Sequence, residues 1–184
     1  MTVKEVLGQA ATLSGREDVV RGIAQGEQSS TDTGLAINAM LRLLRVVVAE
    51  LSASFIPLVT EETLHVSERV KYKDLTKSVV EILKIYDADG YEIPFDVGYD
   101  HVKIARPCAK ILYKYRPENY ELEDLVGYSE KDISSAILAY GLAAEFALTE
   151  GDFDRACTMH DRYVEGVHAI CKPKNRVVKE RAWQ

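Results

Sequence analysis

The period of the hydrophobic pattern changes twice along this chain of 184 residues, and no other feature restricts its fold as strongly. Apolar residues recur at helical spacing up to about residue 55, alternate with polar residues between about 60 and 115, and return to helical spacing after about 129. This order predicts an α+β fold. Because each flanking helical part is too short to bury its apolar face alone, we expect the N- and C-terminal helices to form one helical bundle, with a small antiparallel β-sheet as an insertion.

Capping residues, helix breakers and turn residues determine where the predicted helices and strands begin and end. Thr2 with Glu5, and Ser129 with Asp132, have the spacing of a helix-capping box. Residues 87–90 predict a hairpin turn, and Pro94 predicts an edge or bulged strand because proline donates no ladder hydrogen bond. The predicted helices are 3–13, 16–25, 32–55, 129–150 and 153–171, and the predicted strands are 63–66, 79–86, 91–97, 102–104 and 109–115.

Charge is distributed unevenly over the four predicted parts: N-terminal helices at 1–58, a β insertion at 59–117, C-terminal helices of the same bundle at 118–171, and a basic tail at 172–184. The net charge is −6, but the tail holds five basic residues and one acid, so it carries +4 and the remaining residues carry −10. The acidic body is expected to repel nucleic acid, whereas the tail favours an acidic surface.

Targeting signals and disulfides are not predicted. The longest nearly apolar stretch is far shorter than a membrane span, and the first residues lack the apolar core of a signal peptide. The cysteines are odd in number and form no CxxC pair, so we expect free thiols. These features predict a cytoplasmic product without a membrane partner.

No catalytic signature is present in the sequence. It lacks the GxxxxGK[ST] loop that binds phosphates, a GxGxxG after a strand, the GxSxG of hydrolases and the HExxH of zinc proteases. Residues 87–90 begin like a calcium loop, but the glycine is fourth instead of sixth, and Gly98 stands where such a loop has its twelfth-position glutamate. We therefore predict a protein that is not an enzyme, with no cofactor and no metal.

The strongest metal candidate is one face of the last predicted helix, which carries Cys157, His160, His168 and Cys171. The CxxH and HxxC pairs are 11 residues apart, about 16 Å along a helix, whereas a zinc ion holds each ligand at about 2.0 to 2.3 Å. At most two half-sites are possible. We interpret the four residues as small core cysteines and hydrogen-bonded core histidines.

Glu145 is the candidate for acid–base chemistry, because it lies in the apolar run 142–148. A buried carboxylate without a partner is costly there. Two interpretations are open. Glu145 is either a general base, or a structural residue that pairs with a guanidinium such as Arg116 or Arg162 or lies on an exposed helix face.

The basic tail is the predicted docking segment. It holds the only tryptophan of the chain, placed beyond any predicted core. A basic arm with one large aromatic anchor suits a groove on a partner, and a solvated tail without a partner is the alternative. The predicted docking residues are Lys172, Lys174, Arg176, Lys179, Arg181 and Trp183.

Several strings, in this order and spacing, resemble the head-to-tail connector (adaptor) proteins of tailed bacteriophages and their prophage relatives, similar to the tail tubular adaptor proteins. Where tail tubular adaptors often carry a tryptophan near the end of the long helix, this chain has SASFIP at 52–57, which favours a prophage connector. The matching strings are VLGQAATLSGRE at 6–17, EILKIY at 81–86, LYKYRP at 112–117, AYGLAAEFAL at 139–148, Gly151-Asp152, Arg162-Tyr163 and the terminal Arg181-Ala182-Trp183.

The resemblance implies a structural virion protein that forms a ring between the capsid portal and the tail. Its implied partners are the portal protein, the phage tail proteins and further copies of itself. The C-terminal basic segment 172–184 is implied to reach the portal, and DNA is implied to pass through the ring without specific binding. The implied locations are the bacterial host cytoplasm during assembly and then the virion. In the virion the protein is implied to be a homo-oligomer, and for the isolated chain both a monomer and an oligomer are open. The alternatives are a cytoplasmic enzyme or ligand-binding domain that uses Glu145 and the Cys157/His160/His168/Cys171 face, and a small nucleic-acid-binding factor that uses the basic tail.

Overall fold

The computed structural model describes residues 1–25 and 32–171, and its helices and strands follow the predicted order. The chain is an α+β protein, as predicted. The helices are α1 (Val3–Leu13), α2 (Glu17–Gln25), α3 (Asp32–Ser54), α4 (Ser135–Glu150) and α5 (Phe153–Cys171). The strands are β1 (Val59–Val66), β2 (Arg69–Lys71), β3 (Val79–Tyr86), β4 (Phe95–Val97), β5 (His101–Ile104) and β6 (Cys108–Tyr115).

The first helix begins where its capping box predicts. The backbone N–H of Glu5 donates to Thr2 Oγ1 at 3.3 Å, which satisfies one of the free donors of the first turn. Leu13 is the last helical residue, and Gly15, with φ of 71°, turns the chain into α2. The prediction for 3–13 is confirmed to the residue.

α4 is the central helix of the bundle, because α1, α3 and α5 all pack against it. Small residues let these neighbours approach closely. A Cβ atom added at Gly141 would lie 3.0 Å from side-chain atoms of both Tyr163 on α5 and Val47 on α3. The buried residues of α4 are Ser135, Leu138, Ala139, Gly141, Leu142, Ala143, Ala144, Phe146 and Ala147.

The predicted start of α4 at Ser129 is wrong, and local hydrogen bonds explain why. The Asp132 carboxylate accepts from the backbone N–H of Ser129 at 3.0 Å and from its hydroxyl at 2.7 Å, which closes a turn before the helix. The first helical N–H, that of Ser135, donates to the Glu130 carboxylate at 3.2 Å. Glu130 therefore supplies the cap from five residues upstream, outside the usual capping spacing.

The β insertion contains two three-stranded antiparallel sheets, where one was predicted. Their strand orders are β1-β6-β3 and β2-β5-β4. The predicted strand 91–97 is reduced to β4, and β2, a strand of three residues, was not predicted. β4 is an edge strand and starts just after Pro94, in agreement with the missing donor of proline.

The insertion and the bundle have separate buried clusters. Ile82, Ile85, Ile111 and Tyr113 line the buried side of the first sheet, and residues such as Val102 in the second sheet belong to the same cluster. The larger cluster consists of helical residues together with Leu58, Val126, Tyr128 and Ile133 from the connections. Tyr115 packs at the edge of both clusters. None of the helices within 1–25 and 32–171 is both long and apolar enough to cross a membrane.

Candidate interaction surfaces

The predicted docking residues Lys172, Lys174, Arg176, Lys179, Arg181 and Trp183 lie outside the described residues. The structure does show where the body ends. The last helix, α5, ends at Cys171, and the ring of His168 lies 5.9 Å from the ring of Phe55, centroid to centroid. The last turn of α5 therefore lies beside the C-terminal end of α3.

A concave surface runs along the outer side of α3, a feature that the sequence analysis did not find. Two adjoining cavities of about 840 and 660 Å³ form it, and both are lined by Asn38, Leu41 and Tyr120. One wall is α3 and the other is the segment 119–123, which follows the β insertion. We call this surface the α3 groove. Sequence patterns gave no signal for it, because one wall is an irregular connection without periodicity.

Hydrogen bonds fix the irregular wall of the α3 groove in place. The Tyr120 hydroxyl donates to the carbonyl of Val126 at 2.9 Å, and burial raises the pKa of this phenol. Arg45 Nη1 donates to Asn119 Oδ1 at 3.0 Å and so connects the two walls. The N–H of Glu121 donates to Asp124 Oδ2 at 2.7 Å, which closes a turn. The groove is therefore preformed in the folded chain.

The two ends of the α3 groove differ in charge. Near the start of α3, Ile37 and Leu41 form an apolar floor, and Glu121 and Glu123 line the opposite wall. Glu123 lies 3.6 Å from Lys4, but both side chains are exposed, and because such surface pairs are weak Glu123 can exchange Lys4 for another cation. At the other end, Arg42, Arg45 and Glu50 give a mixed lining. The first half thus combines apolar residues on its floor with an acidic rim.

A cluster of charged residues connects the turn between α1 and α2 to the end of α4. The Arg16 guanidinium donates to both carboxylate oxygens of Asp18, at 3.0 and 2.9 Å, and to Glu150 at 3.2 Å. Its Cζ lies 5.8 Å from the ring centroid of Phe146. The hydrogen bond from Arg16 holds the pKa of the Asp18 carboxyl far below its usual range. This geometry indicates a structural role.

Glu145 is half-buried on α4 and does not form the ion pair that the sequence suggested. None of the ion pairs within the described residues includes it. Arg162 instead donates to the Tyr140 hydroxyl at 3.2 Å, with its Cζ 5.5 Å from that ring. Burial, together with the charges of Glu50 and Glu145, raises the pKa of the Tyr163 phenol to about 12.

The prediction that the four cysteines and histidines of α5 are core residues is wrong. Cys157, His160, His168 and Cys171 are all exposed. α5 packs mainly on α4, so it buries only a narrow stripe formed by Ala156, Tyr163 and Val167. Nowhere in the described part of the chain do three or more His, Cys, Asp or Glu side chains come together in a way that could hold a metal ion.

No model of a known protein family matches the chain, and neither does any curated protein.

Proposed function

We propose that this protein is a structural virion component that joins the capsid portal to the tail as a ring-forming head-to-tail connector. It acts through protein–protein contacts and is not an enzyme. Its proposed partners are the portal protein, tail proteins and further copies of itself, and DNA passes through the ring without specific binding. Its proposed locations are the bacterial host cytoplasm during assembly and then the virion.

The observation that carries the proposal is that the strings behind the resemblance pack against one another although they lie far apart in the sequence. Residues 6–17 include most of α1, and residues 139–148 lie in α4, which packs against α1. Residues of the string 6–17 contact both ends of α4. Gln9 Nε2 donates to Ser135 Oγ at 3.2 Å at one end, and Arg16 contacts Glu150 at the other.

The two strings in the β insertion are also neighbours. Residues 81–86 lie in β3 and residues 112–117 begin in β6, and these strands pair in antiparallel register. Ile82 is opposite Tyr113, and Ile85 is opposite Ile111. The strings that resemble connectors therefore lie where helices or strands of this fold pack against one another. A resemblance carried by such positions supports a shared fold, and the proposed assembly follows from it by analogy between folds.

Light scattering on the purified protein tests this function. The mass is measured for the chain alone, and then after mixing with the portal protein of the same phage or prophage. We expect a ring-sized species or a complex with the portal. The same measurement on a chain without residues 172–184 tests the predicted docking tail, which is expected to be needed for the portal complex.

Two results would contradict the proposal. One is a monomer whose mass does not change when the portal is added. The other is tight, salt-dependent DNA binding by the isolated chain, which would favour a nucleic-acid-binding factor. Circular dichroism of the shortened chain is the control, since the helices of the body must remain folded for its loss of binding to be informative.

A further inference from the structure

We propose that the acidic half of the α3 groove binds the C-terminal tail, residues 172–184, of a second copy of this chain. The inference concerns contacts between copies of this protein alone, so it does not depend on the portal. A portal that takes up the same tail would compete with the groove for it.

The chemistry of groove and tail is complementary. The tail carries a net charge of +4 and one tryptophan, at position 183. The acidic half of the groove, of about 660 Å³, has the apolar residues Ile37, Leu41 and Leu122 in its lining, beside Glu121 and Glu123. An aromatic side chain that is buried between apolar neighbours inside a polar rim is the usual anchor of a protein interface. Opposite charges around it favour one orientation and suppress wrong partners.

The position of the groove on α3 argues against binding of the tail by its own body. Val47 faces Gly141 of α4, on the side of α3 where the bundle lies. Asn38 lines both halves of the groove and lies nine residues before Val47, about 180° around the helix. The groove therefore opens on the side of α3 that faces away from α4 and α5.

The length of the tail also favours a neighbouring copy over the tail's own body. The acidic half lies at Gly34–Leu41, which is 14 to 21 residues before Phe55, or about 20 to 30 Å along α3. Reaching the far side of a helix of about 10 to 12 Å diameter takes roughly 15 to 20 Å around it, perpendicular to the axis, so the whole path is about 25 to 36 Å. Twelve extended residues, from 172 to 183, span at most about 43 Å. Within one molecule Trp183 reaches the groove only when the tail is stretched to well over half of this length, whereas a neighbouring copy imposes no such limit.

When the basic tail of one copy binds the α3 groove of the next copy, two different surfaces of the chain meet. Such a contact is heterologous. Contacts of this kind give closed rings when the rotation between copies closes, and open filaments when it does not. The α3 groove would thus be the receiving surface of such an assembly.

The fluorescence of Trp183 tests this contact directly, because the chain has no other tryptophan. In the full chain at high concentration we expect blue-shifted emission relative to a synthetic peptide of residues 172–184, together with a mass above the monomer by light scattering. On dilution, both signals are expected to return together to the values of the free peptide and the monomer.

Charge reversal identifies the groove. The double variant Glu121→Lys/Glu123→Lys is expected to weaken self-association at least about tenfold and to shift Trp183 emission to that of the peptide. The control, Glu68→Lys/Asp74→Lys, makes the same charge change at two exposed acids of the β insertion and is expected to leave both signals unchanged. If the groove variant fails to fold by circular dichroism, Trp183→Ser is measured instead, and the same loss of self-association is expected.

Three results would overturn the proposal. Emission equal to that of the peptide at every concentration means that the tail is not bound. Blue-shifted emission in a monomer, independent of concentration, means that the tail lies on its own body. Equal loss in the groove variant and in its control means that the attraction is general and not located in the α3 groove.

Discussion

The Tyr113 hydroxyl donates a hydrogen bond of 2.8 Å to the Glu62 carboxylate, and this bond connects the buried side of β6 to β1. Glu62 also accepts from the backbone N–H and the hydroxyl of Thr76, at 3.1 and 2.9 Å. Burial and the bond to Glu62 raise the pKa of Tyr113 to about 12. For Glu62, burial acts to raise the pKa, but the hydrogen bonds from Thr76 and Tyr113 outweigh it and the pKa is lowered.

Removing this hydroxyl should destabilise the fold. Tyr113 is fully buried, and Tyr113→Phe leaves the ring in place while the carboxylate loses one donor. We expect the free energy of unfolding to fall by about 1.5 to 3 kcal/mol, as for other hydrogen bonds to charged groups. Urea denaturation measures this difference. Tyr99→Phe is the matched control, because Tyr99 is fully exposed, and equal effects of the two variants would contradict the role of the Tyr113–Glu62 bond.

Stability is expected to fall in acid partly because of Glu62. Its pKa in the folded protein lies below the ordinary value of 4.5, so its contribution is fully present above about pH 5 and is lost as the pH falls through the lowered pKa. In Glu62→Gln this contribution is absent at every pH. The unfolding free energy of the variant should therefore be lower than that of the original chain near pH 6 and should decline less steeply between about pH 5 and 3.

Thermal unfolding measured at several pH values tests the acid dependence. Glu68→Gln is the control, since Glu68 is an exposed acid of the same insertion. Parallel pH curves for Glu62→Gln and the original chain would show that Glu62 does not contribute.

The helices could be predicted from the sequence wherever local signals determined them. α1 and α5 have a capping residue or a breaker at the expected place and one clear apolar stripe, and both were predicted to the residue. The start of α4 was misplaced because Ser129 and Asp132 bond to each other in a turn, while Glu130 caps the helix from an unusual distance. Spacing alone does not distinguish a capping box from such a turn.

The surfaces were harder to predict than the elements. The face with Cys157 and His168 was assigned to the core because periodicity shows which residues share a face but not which face is covered. Which face of a helix is covered depends on its neighbours, and α5 packs mainly against a single helix, α4. The α3 groove was missed because it forms between a helix and the segment 119–123, about 80 residues apart in the sequence.

The same substitution, glycine to alanine, is expected to change the stability of the protein in opposite directions at two glycines of the bundle. Around Gly141, a new Cβ would lie 3.0 Å from both Tyr163 and Val47, so there is no room on either side. Around Gly8, on α1, nothing lies within 4 Å of the new atom. We expect Gly8→Ala to stabilise by about 0.5 to 1 kcal/mol through its better helix propensity, and Gly141→Ala to destabilise by about 1 to 2 kcal/mol through overpacking. Chemical denaturation measures both, and stabilisation by both would show that α4 can move away from its neighbours at no cost.

The three cysteines should differ in reactivity in the folded protein. Cys157 and Cys171 are exposed on α5, whereas Cys108 is 3% exposed within the core of the β insertion. A thiol reagent needs access to the sulfur, so two thiols per chain should react quickly and the third only as fast as the insertion opens. Titration with a chromogenic disulfide reagent in buffer and then in denaturant counts the two classes. Cys108→Ser should remove only the slow class, and three thiols that react at one rate in buffer would mean that the core of the β insertion is open.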